Sequence, residues 1–204
     1  MDKLYKVNEY FLSIQGEGVR AGTANVFLRF ALCNLHCDME PSPTSPGGWR
    51  CDTEFQGYTE MTAAEIVERI TEIAGPCRNV IFTGGEPALS VTRELIDALH
   101  ESGFFLSIET NGTLPLPEGI DFVTASPKTA EHTLRLDKAN EVKYVRHHGQ
   151  ALPKPRIKAE HYLISPAWSS DGLHKNDLEW CMNLIKEDPK WRLSLQTHKW
   201  LQVR

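Results

Sequence analysis

The chain has 204 residues, of which 41% are hydrophobic and 24% are charged, and its formal net charge is −5. This length suits one domain with a substantial core, and the composition is ordinary for a globular protein. The negative charge provides no field that attracts nucleic acid, so we expect a small-molecule substrate and no nucleic-acid partner. The N-terminal sequence MDKLYKVNEYF lacks the apolar stretch of a signal peptide, and no run of about 18 apolar residues suggests a membrane span. We therefore expect a cytoplasmic protein with reduced cysteines.

Short apolar segments with strand-like patterns alternate with helical patterns along the chain. Strands are predicted at 6–14, 25–30, 79–82, 104–108, 122–124, 142–145, 161–164 and 191–195. Residues 62–65 have the form of a capping box, which predicts a helix, and a second helix is predicted to stop near Gly103. Residues 176–179 resemble another capping box, so a third helix should start there and end before Pro189, with Cys181 in its apolar face.

The alternation of strands and helices favours parallel βα units. There are fewer helical patterns than a full eight-unit barrel would need, so the fold class we expect is α/β, an incomplete TIM-like βα barrel. We find no internal repeat and no linker, so residues 1–204 are predicted to form a single domain. In such sheets the ligand site lies at the carboxyl ends of the strands. We therefore expect the motifs that follow the strands to converge there: 15–16, Cys33, 84–86, 109–111 and 126–128.

Three of the five cysteines lie within residues 31–55, at Cys33, Cys37 and Cys51. Cubane iron–sulfur clusters normally take one Cys per iron, so three thiolates would leave one iron open to another ligand. The segment between the last two cysteines is rich in Pro, Gly and Ser, which is typical of a loop that could bring the third back to the others. A structural zinc site that includes His36 is an alternative. The odd number of cysteines disfavours a disulfide framework.

Other residues have two interpretations each. Gly84 and Gly85 could lie against a ligand, or could form a plain strand-to-helix turn. Arg29 lies inside a predicted strand and needs either solvent or an anion. Asp52 and its neighbour could serve a hard cation, although the spacing alone favours a turn cap. His198 could be a base, but a lone histidine there is more typical of a structural residue.

A cysteine trio followed by TGGEP is the pattern of the radical S-adenosylmethionine (SAM) superfamily, although C-x3-C-x13-C departs from the common C-x3-C-x2-C. The segments SIQGEG, NVFLRF-ALCNL, CDTEF, TGGEP, ETNG, SPK and LSLQTHKWLQVR together resemble the 7-carboxy-7-deazaguanine synthase family over essentially the whole chain. The resemblance implies a radical SAM lyase. Its reaction would convert 6-carboxy-5,6,7,8-tetrahydropterin into 7-carboxy-7-deazaguanine with release of ammonia, in the biosynthesis of queuosine and other 7-deazapurines. A glycyl-radical activase is the alternative, and it would need neither Arg29 nor a fixed C-terminus.

The resemblance also implies roles for individual residues. Cys33, Cys37 and Cys51, in the loop 31–55, would bind a [4Fe–4S] cluster, and the hydroxyl of Thr53 would bind Mg²⁺. The implied substrate-binding residues are Ile14, Gln15, Gly16, Arg29 (for the substrate carboxylate), Thr83 and the terminal carboxylate of Arg204. The implied SAM-binding residues are Gly85, Ser126, Pro127, Lys128, Ser165, Pro166, Ala167 and Trp168. The family further implies a homodimer and an electron donor such as flavodoxin or ferredoxin.

Overall fold

The computed structural model describes residues 2–38, 40, 51, 57–169 and 172–203. The strands are β1 (Tyr5–Ile14), β2 (Ala24–Phe30), β3 (Thr59–Met61), β4 (Asn79–Gly84), β5 (Phe105–Thr110), β6 (Phe122–Ala125), β7 (Lys138–Arg146), β8 (Lys158–Pro166), β9 (Trp168–Ser169), β10 (Gly172–Leu173) and β11 (Trp191–Leu193). The helices are α1 (Ala63–Ala74), α2 (Arg93–Glu101), α3 (Lys175–Glu187) and α4 (Thr197–Leu201). In this part of the chain no helix combines the length and apolarity needed to cross a bilayer.

Nine strands form one sheet in the order β11-β8-β7-β6-β5-β4-β2-β1-β3. From β2 to β11 every neighbouring pair is parallel, whereas β1 runs antiparallel to β2 and to β3. Within the described residues only α1, α2 and α3 are helices longer than two turns, which is too few to cover a complete eight-unit barrel. The predicted incomplete TIM-like barrel is confirmed.

The outer face of the sheet is apolar and carries the helices. Alternate residues of β2, such as Leu28 and Phe30, are completely buried in a core with α1 and α2. The predicted capping box is present at α1: Glu65 N–H donates to the Thr62 hydroxyl over 3.3 Å, and Thr62 N–H donates to the Glu65 carboxylate over 2.7 Å. A second core lies under α3, where Cys181 is completely buried, as predicted.

The inner face of the sheet is polar by contrast. Residues paired across strands lie on the same face, and Arg29 pairs with Thr83 on β4. Glu109 on β5 pairs with Thr124, which in turn pairs with Glu141 on β7. These side chains form a row that crosses the inner face of the barrel.

The prediction that residues 15–16 lie at the carboxyl ends of the parallel strands is wrong. Ile14, the last residue of β1, pairs with Ala24, the first residue of β2. Gln15 and Gly16 therefore follow β1 at the amino ends of the parallel strands, whereas Cys33 lies beyond their carboxyl ends. The sequence pattern of a strand does not show whether the strand runs parallel or antiparallel to its neighbours. Because β1 runs antiparallel to β2, its last residues lie at the amino ends of the parallel strands.

Two smaller features also differ from prediction. The capping box expected at 176–179 is absent: α3 begins at Lys175, and its N-cap His174 makes no side-chain cap hydrogen bond. Asp177 instead accepts a hydrogen bond from the backbone N–H of His148 over 2.7 Å. The last strand ends at Leu193, and α4, with only five residues, was too short to show a helical period.

Candidate active site

The end of β2 and the start of the cysteine loop pack against Gly84, which ends β4, and Gly85, which follows it. The N–H of Gly85 donates to the Phe30 carbonyl over 3.0 Å, and the N–H of Glu86 donates to the Leu32 carbonyl over 2.8 Å. A β-carbon on Gly85 would overlap with the Leu32 carbonyl oxygen, so only glycine fits there. Leu32 itself has a φ of 76°, an uncommon left-handed conformation for a branched residue. The TGGEP glycines thus allow β4 to pack against the start of the cysteine loop.

The three predicted cluster cysteines are grouped. The N–H of Cys51 donates to the carbonyl of Cys37 over 3.1 Å, so the chain returns after the intervening segment as predicted. The N–H of Leu35 approaches the Cys33 sulfur at 3.4 Å. Burial raises the pKa of the Cys33 thiol to about 11; the Leu35 N–H opposes this, while the charges of Glu86, Cys37 and Cys51 add to it. The backbone hydrogen bond thus places Cys51 beside Cys37.

The cysteine loop provides a hydrogen bond to sulfur, a feature that an iron–sulfur cluster would use. In the part of the chain that the structure describes, no three His, Cys, Asp or Glu side chains come close enough to hold one metal ion. A zinc site needs four ligands around one point, whereas a cubane takes each thiolate at a separate iron and is tuned by hydrogen bonds to sulfur. The Leu35 N–H that approaches the Cys33 sulfur is a hydrogen bond of this kind.

Glu86, which follows β4, is hydrogen-bonded to residues at the end of β5. Its carboxylate is 1% exposed and accepts hydrogen bonds from Ala88 N–H at 3.0 Å, the Thr110 hydroxyl at 2.7 Å and Asn111 N–H at 2.7 Å. Burial raises the pKa of Glu86, and the bonds from Asn111, Thr110 and Ala88 partly oppose the shift. All three identified donors belong to the protein, so Glu86 organises the backbone around the site.

The ETNG turn also supports the cysteine loop, through a residue that sequence reasoning missed. The Asn111 amide donates to the Asn34 side-chain oxygen over 3.0 Å, and the Asn34 amide donates to the Thr113 hydroxyl over 2.8 Å. Thr113 in turn donates its N–H to the Asn111 oxygen over 2.9 Å. Asn34 lies inside the C-x3-C segment, but nothing in the sequence indicated its partners.

Two predicted substrate residues meet on Glu109. The Gln15 amide donates to one carboxylate oxygen over 2.8 Å, and the Thr83 hydroxyl donates to the other over 3.2 Å. Although Gln15 follows β1 at the amino end, its side chain thus reaches the inner face. The side chain of Ile14 points to the outer face and is 38% exposed, so only its backbone could serve an inner site.

Arg29 lies on the inner face rather than on the outer surface. Its Nε lies 3.4 Å from the Glu9 carboxylate, and its guanidinium lies 5.4 Å from the centroid of the Phe11 ring. The Phe11 ring stacks on Phe27 with centroids 5.2 Å apart. The guanidinium is therefore half-buried, with the Phe11 ring beneath it and the Glu9 carboxylate beside it.

The QGEG loop and the C-terminal QTHK segment join at the site. Thr197 donates both its N–H and its hydroxyl to the Gly16 carbonyl, over 3.0 and 2.9 Å. A β-carbon on Gly16 would overlap with the imidazole of His198. The Gln196 amide donates to Glu17 over 3.0 Å, and Glu17 also pairs with Lys143 on β7. Sequence reasoning missed Glu17 and Lys143, although a lysine inside a predicted strand is the same signal that singled out Arg29.

The residues expected to contact SAM lie at the carboxyl edge of the sheet. Ser126 N–H donates to the Thr110 carbonyl over 2.7 Å, and Lys128 donates to the Ser126 hydroxyl over 2.9 Å. Pro127 lies between them. Ser165 and Pro166 end β8, which lies beside β7 and two strands from β6.

The remaining expected residues either flank that edge or lie outside the described part. Ala167 N–H donates to the Arg146 carbonyl over 3.0 Å, and the Trp168 ring lies 6.2 Å from that of Trp200. Thr53 and Arg204 lie outside the described residues.

Comparison with known proteins adds to this geometry. The model of the radical SAM superfamily matches residues 29–159. A 7-carboxy-7-deazaguanine synthase from Bacteroides thetaiotaomicron is 42% identical, covering 98% of this chain and 98% of its own. One from Burkholderia multivorans is 39% identical and covers 98% and 99%. The crystal structure of QueE from Escherichia coli has a TM-score of 0.67 at 23% identity, covering 95% of this chain and 94% of that one, and supports the fold.

The chain belongs to the radical SAM superfamily. Within that superfamily, it belongs to the 7-carboxy-7-deazaguanine synthase family. Membership implies a [4Fe–4S] cluster and SAM as cofactors, a small-molecule substrate and an electron donor. The grouped thiols at the carboxyl edge fit that cluster.

Proposed function

We propose that the chain is a 7-carboxy-7-deazaguanine synthase, which converts 6-carboxy-5,6,7,8-tetrahydropterin into 7-carboxy-7-deazaguanine with release of ammonia. The observation that carries the proposal is the junction of the QGEG loop with the QTHK segment, where Thr197 donates twice to Gly16. This junction lies beside the inner face, where the half-buried guanidinium of Arg29 could receive a carboxylate. A generic radical SAM activity on a protein partner would not require either feature.

Each cofactor has proposed ligands in the chain. Cys33, Cys37 and Cys51 would hold the cluster in the loop 31–55 of a single domain, residues 1–204, and the hydroxyl of Thr53 would bind Mg²⁺. Residues Gly85, Ser126, Pro127, Lys128, Ser165, Pro166, Ala167 and Trp168 would surround SAM. When held by these residues, the cluster would supply one-electron chemistry at SAM, and the chain's own residues would bind and orient the two cofactors.

The inner face provides the substrate contacts. Arg29 would exchange its 3.4 Å approach to Glu9 for the substrate carboxylate, because a guanidinium matches carboxylate geometry with two donors. Gln15, Gly16 and Thr83, together with the backbone of Ile14, would hold the pterin ring, and the terminal carboxylate of Arg204 would bind its base. The stacked rings of Phe11 and Phe27 below Arg29 would keep water away from this part of the bound substrate.

The family supports three further proposals. The protein would form a homodimer and receive electrons from a donor such as flavodoxin or ferredoxin. The oxygen sensitivity of a [4Fe–4S] cluster favours the reducing cytoplasm as its location.

The test is an anaerobic assay of Arg29→Leu with the reconstituted protein, SAM, Mg²⁺, dithionite and the carboxytetrahydropterin. We expect the KM for the pterin to rise at least about 100-fold, because a bidentate charged contact is lost, with little change in the KM for SAM. Arg135→Leu, at an exposed arginine, serves as the control. An unchanged KM for the pterin in Arg29→Leu would remove Arg29 from the substrate site. Cleavage of SAM without any deazaguanine from the unchanged protein would reject the substrate and favour an activase.

A further inference from the structure

Lys143 is a buried cation that the proposed reaction does not yet use. It lies in β7, its side chain is 10% exposed, and it forms an ion pair with Glu17, whose side chain is 16% exposed. Burial opposes the charge of Lys143, but Glu17, Glu109 and Glu141 together hold its pKa above its usual value. Burial likewise opposes the charge of Glu17, but Lys143, together with Gln196 and His198, outweighs it, so the pKa of Glu17 is lowered. Both partners are therefore charged at neutral pH.

Glu17 connects this ion pair to two parts of the substrate site. Its backbone N–H donates to the Gln15 side-chain oxygen over 3.1 Å, which fixes the amide that donates to Glu109. Its carboxylate accepts from the Gln196 amide over 3.0 Å, immediately before Thr197 docks on Gly16. One carboxylate thus holds the QGEG loop to the C-terminal segment.

The charges around this junction explain why a cation is needed. Three carboxylates, those of Glu17, Glu109 and Glu141, act on the single charge of Lys143. Glu141 is 3% exposed and accepts hydrogen bonds from Val19 N–H and the Thr124 hydroxyl, both over 2.8 Å. Without Lys143, the Glu17 carboxylate would lack its opposing charge and would move toward solvent, because burial disfavours the charged form. Gln196 would then lose its acceptor.

We propose that Lys143 is a positioning residue for substrate binding. It orients the Glu17 carboxylate, which holds the C-terminal segment, residues 194–203, over the QGEG loop. It thereby also fixes the backbone N–H of Glu17, which holds the Gln15 side chain on the inner face. This inference rests on the proposed function for its effect on substrate, but its effect on the C-terminal segment does not depend on that function.

The first experiment compares Lys143→Met with the unchanged protein. We expect the KM for the carboxytetrahydropterin to rise at least tenfold, while the KM for SAM changes less than threefold. In the apoprotein, we expect backbone amides of residues 194–203 to exchange with deuterium at least tenfold faster. Lys138→Met, an exposed lysine in the same strand, is the control and should leave both measurements unchanged.

Two further variants separate positioning from simple stability. Glu17→Gln combined with Lys143→Met leaves no unpaired charge in the pair, so it should fold even if Lys143→Met does not. If Lys143 acts by positioning, this double variant regains thermal stability yet keeps the raised KM and the fast exchange. Gln196→Ala removes the hydrogen bond from Gln196 to Glu17 and leaves the ion pair intact. It should raise the KM for the pterin and speed the exchange of residues 194–203, with little change in the KM for SAM.

The inference is overturned if Gln196→Ala keeps its KM for the pterin and its exchange within threefold of the unchanged protein. It is equally overturned if the double variant folds and has the same KM for the pterin and the same exchange rate as the unchanged protein. Lys143 would then serve only to compensate the charge of Glu17. If no protein makes deazaguanine, the proposed function fails, and the exchange measurements alone decide whether Lys143 holds the C-terminal segment.

Discussion

Replacing Glu86 with glutamine tests whether the turn after β4 supports the cysteine loop. The Glu86 carboxylate accepts three hydrogen bonds while 1% exposed. Glutamine keeps one acceptor oxygen, but its NH₂ group would face either Asn111 N–H or the pair of donors from Ala88 and Thr110. One buried donor then has no acceptor, which costs about 1–3 kcal/mol. Loss of a buried charge offsets part of this cost, because burial already raises the pKa of Glu86.

We therefore expect Glu86→Gln to lower the free energy of unfolding by about 2 kcal/mol, which corresponds to about 4–8 °C in Tm for a chain of this size. The assay is thermal unfolding of the apoprotein followed by circular dichroism. Iron retained after reconstitution and gel filtration should fall as well, because Glu86 N–H also holds the Leu32 carbonyl over 2.8 Å. Glu94→Gln, at an exposed position of α2, is the control. A Tm within about 1 °C of the unchanged protein, with full iron content, would refute this reasoning.

Three other predictions follow from the same geometry. Gly16→Ala should displace His198 and raise the KM for the pterin about tenfold, a loss of about 1.4 kcal/mol; Gly57→Ala, where a β-carbon meets nothing within 4 Å, should not. Asn34→Ala removes the contacts to Asn111 and Thr113, so it should retain less iron per chain in a colorimetric iron assay; equal iron would contradict a supporting role for Asn34. Burial would raise the pKa of Glu17, but the ion pair with Lys143 helps to lower it. The charged Glu17 therefore stabilises the folded protein above its ordinary pKa of 4.5, and this stabilisation is lost as the pH falls through the lower pKa of the folded state. Urea unfolding between pH 6.5 and 3.5 should show this loss, by up to about 1.4 kcal/mol per pH unit, in the unchanged protein but not in Glu17→Gln; parallel curves would contradict it.

Local signals in the sequence were sufficient for most of the fold. The capping box at Thr62 placed α1, and the alternation of apolar residues placed β2 and its neighbours, because these patterns involve residues close in the chain. Pro189 marked the end of α3 correctly, since proline cannot continue a helix. Gln15 was placed at the wrong end of the sheet because strand direction depends on pairing between distant segments.

The candidate site was predictable only where a residue type is itself unusual. Arg29 drew attention as a charge within an apolar strand, and the register of β1 and β2 then showed which face it occupies. The Glu17–Lys143 pair spans 126 residues, and such a contact leaves no periodic trace in the sequence. Asn34 is an ordinary loop residue until the ETNG turn packs against it. Tertiary contacts therefore define the parts of the site that local patterns miss.

The most direct test of the central claim is an anaerobic turnover assay with the unaltered protein, in which product and SAM are quantified together by chromatography. The protein is reconstituted with iron and sulfide and supplied with dithionite, SAM, Mg²⁺ and the carboxytetrahydropterin. We predict 7-carboxy-7-deazaguanine well in excess of the SAM consumed, and no product from Cys33→Ala. A brown protein that cleaves SAM without forming deazaguanine would contradict the assigned substrate. A colourless protein that leaves SAM intact would contradict the cluster assignment itself.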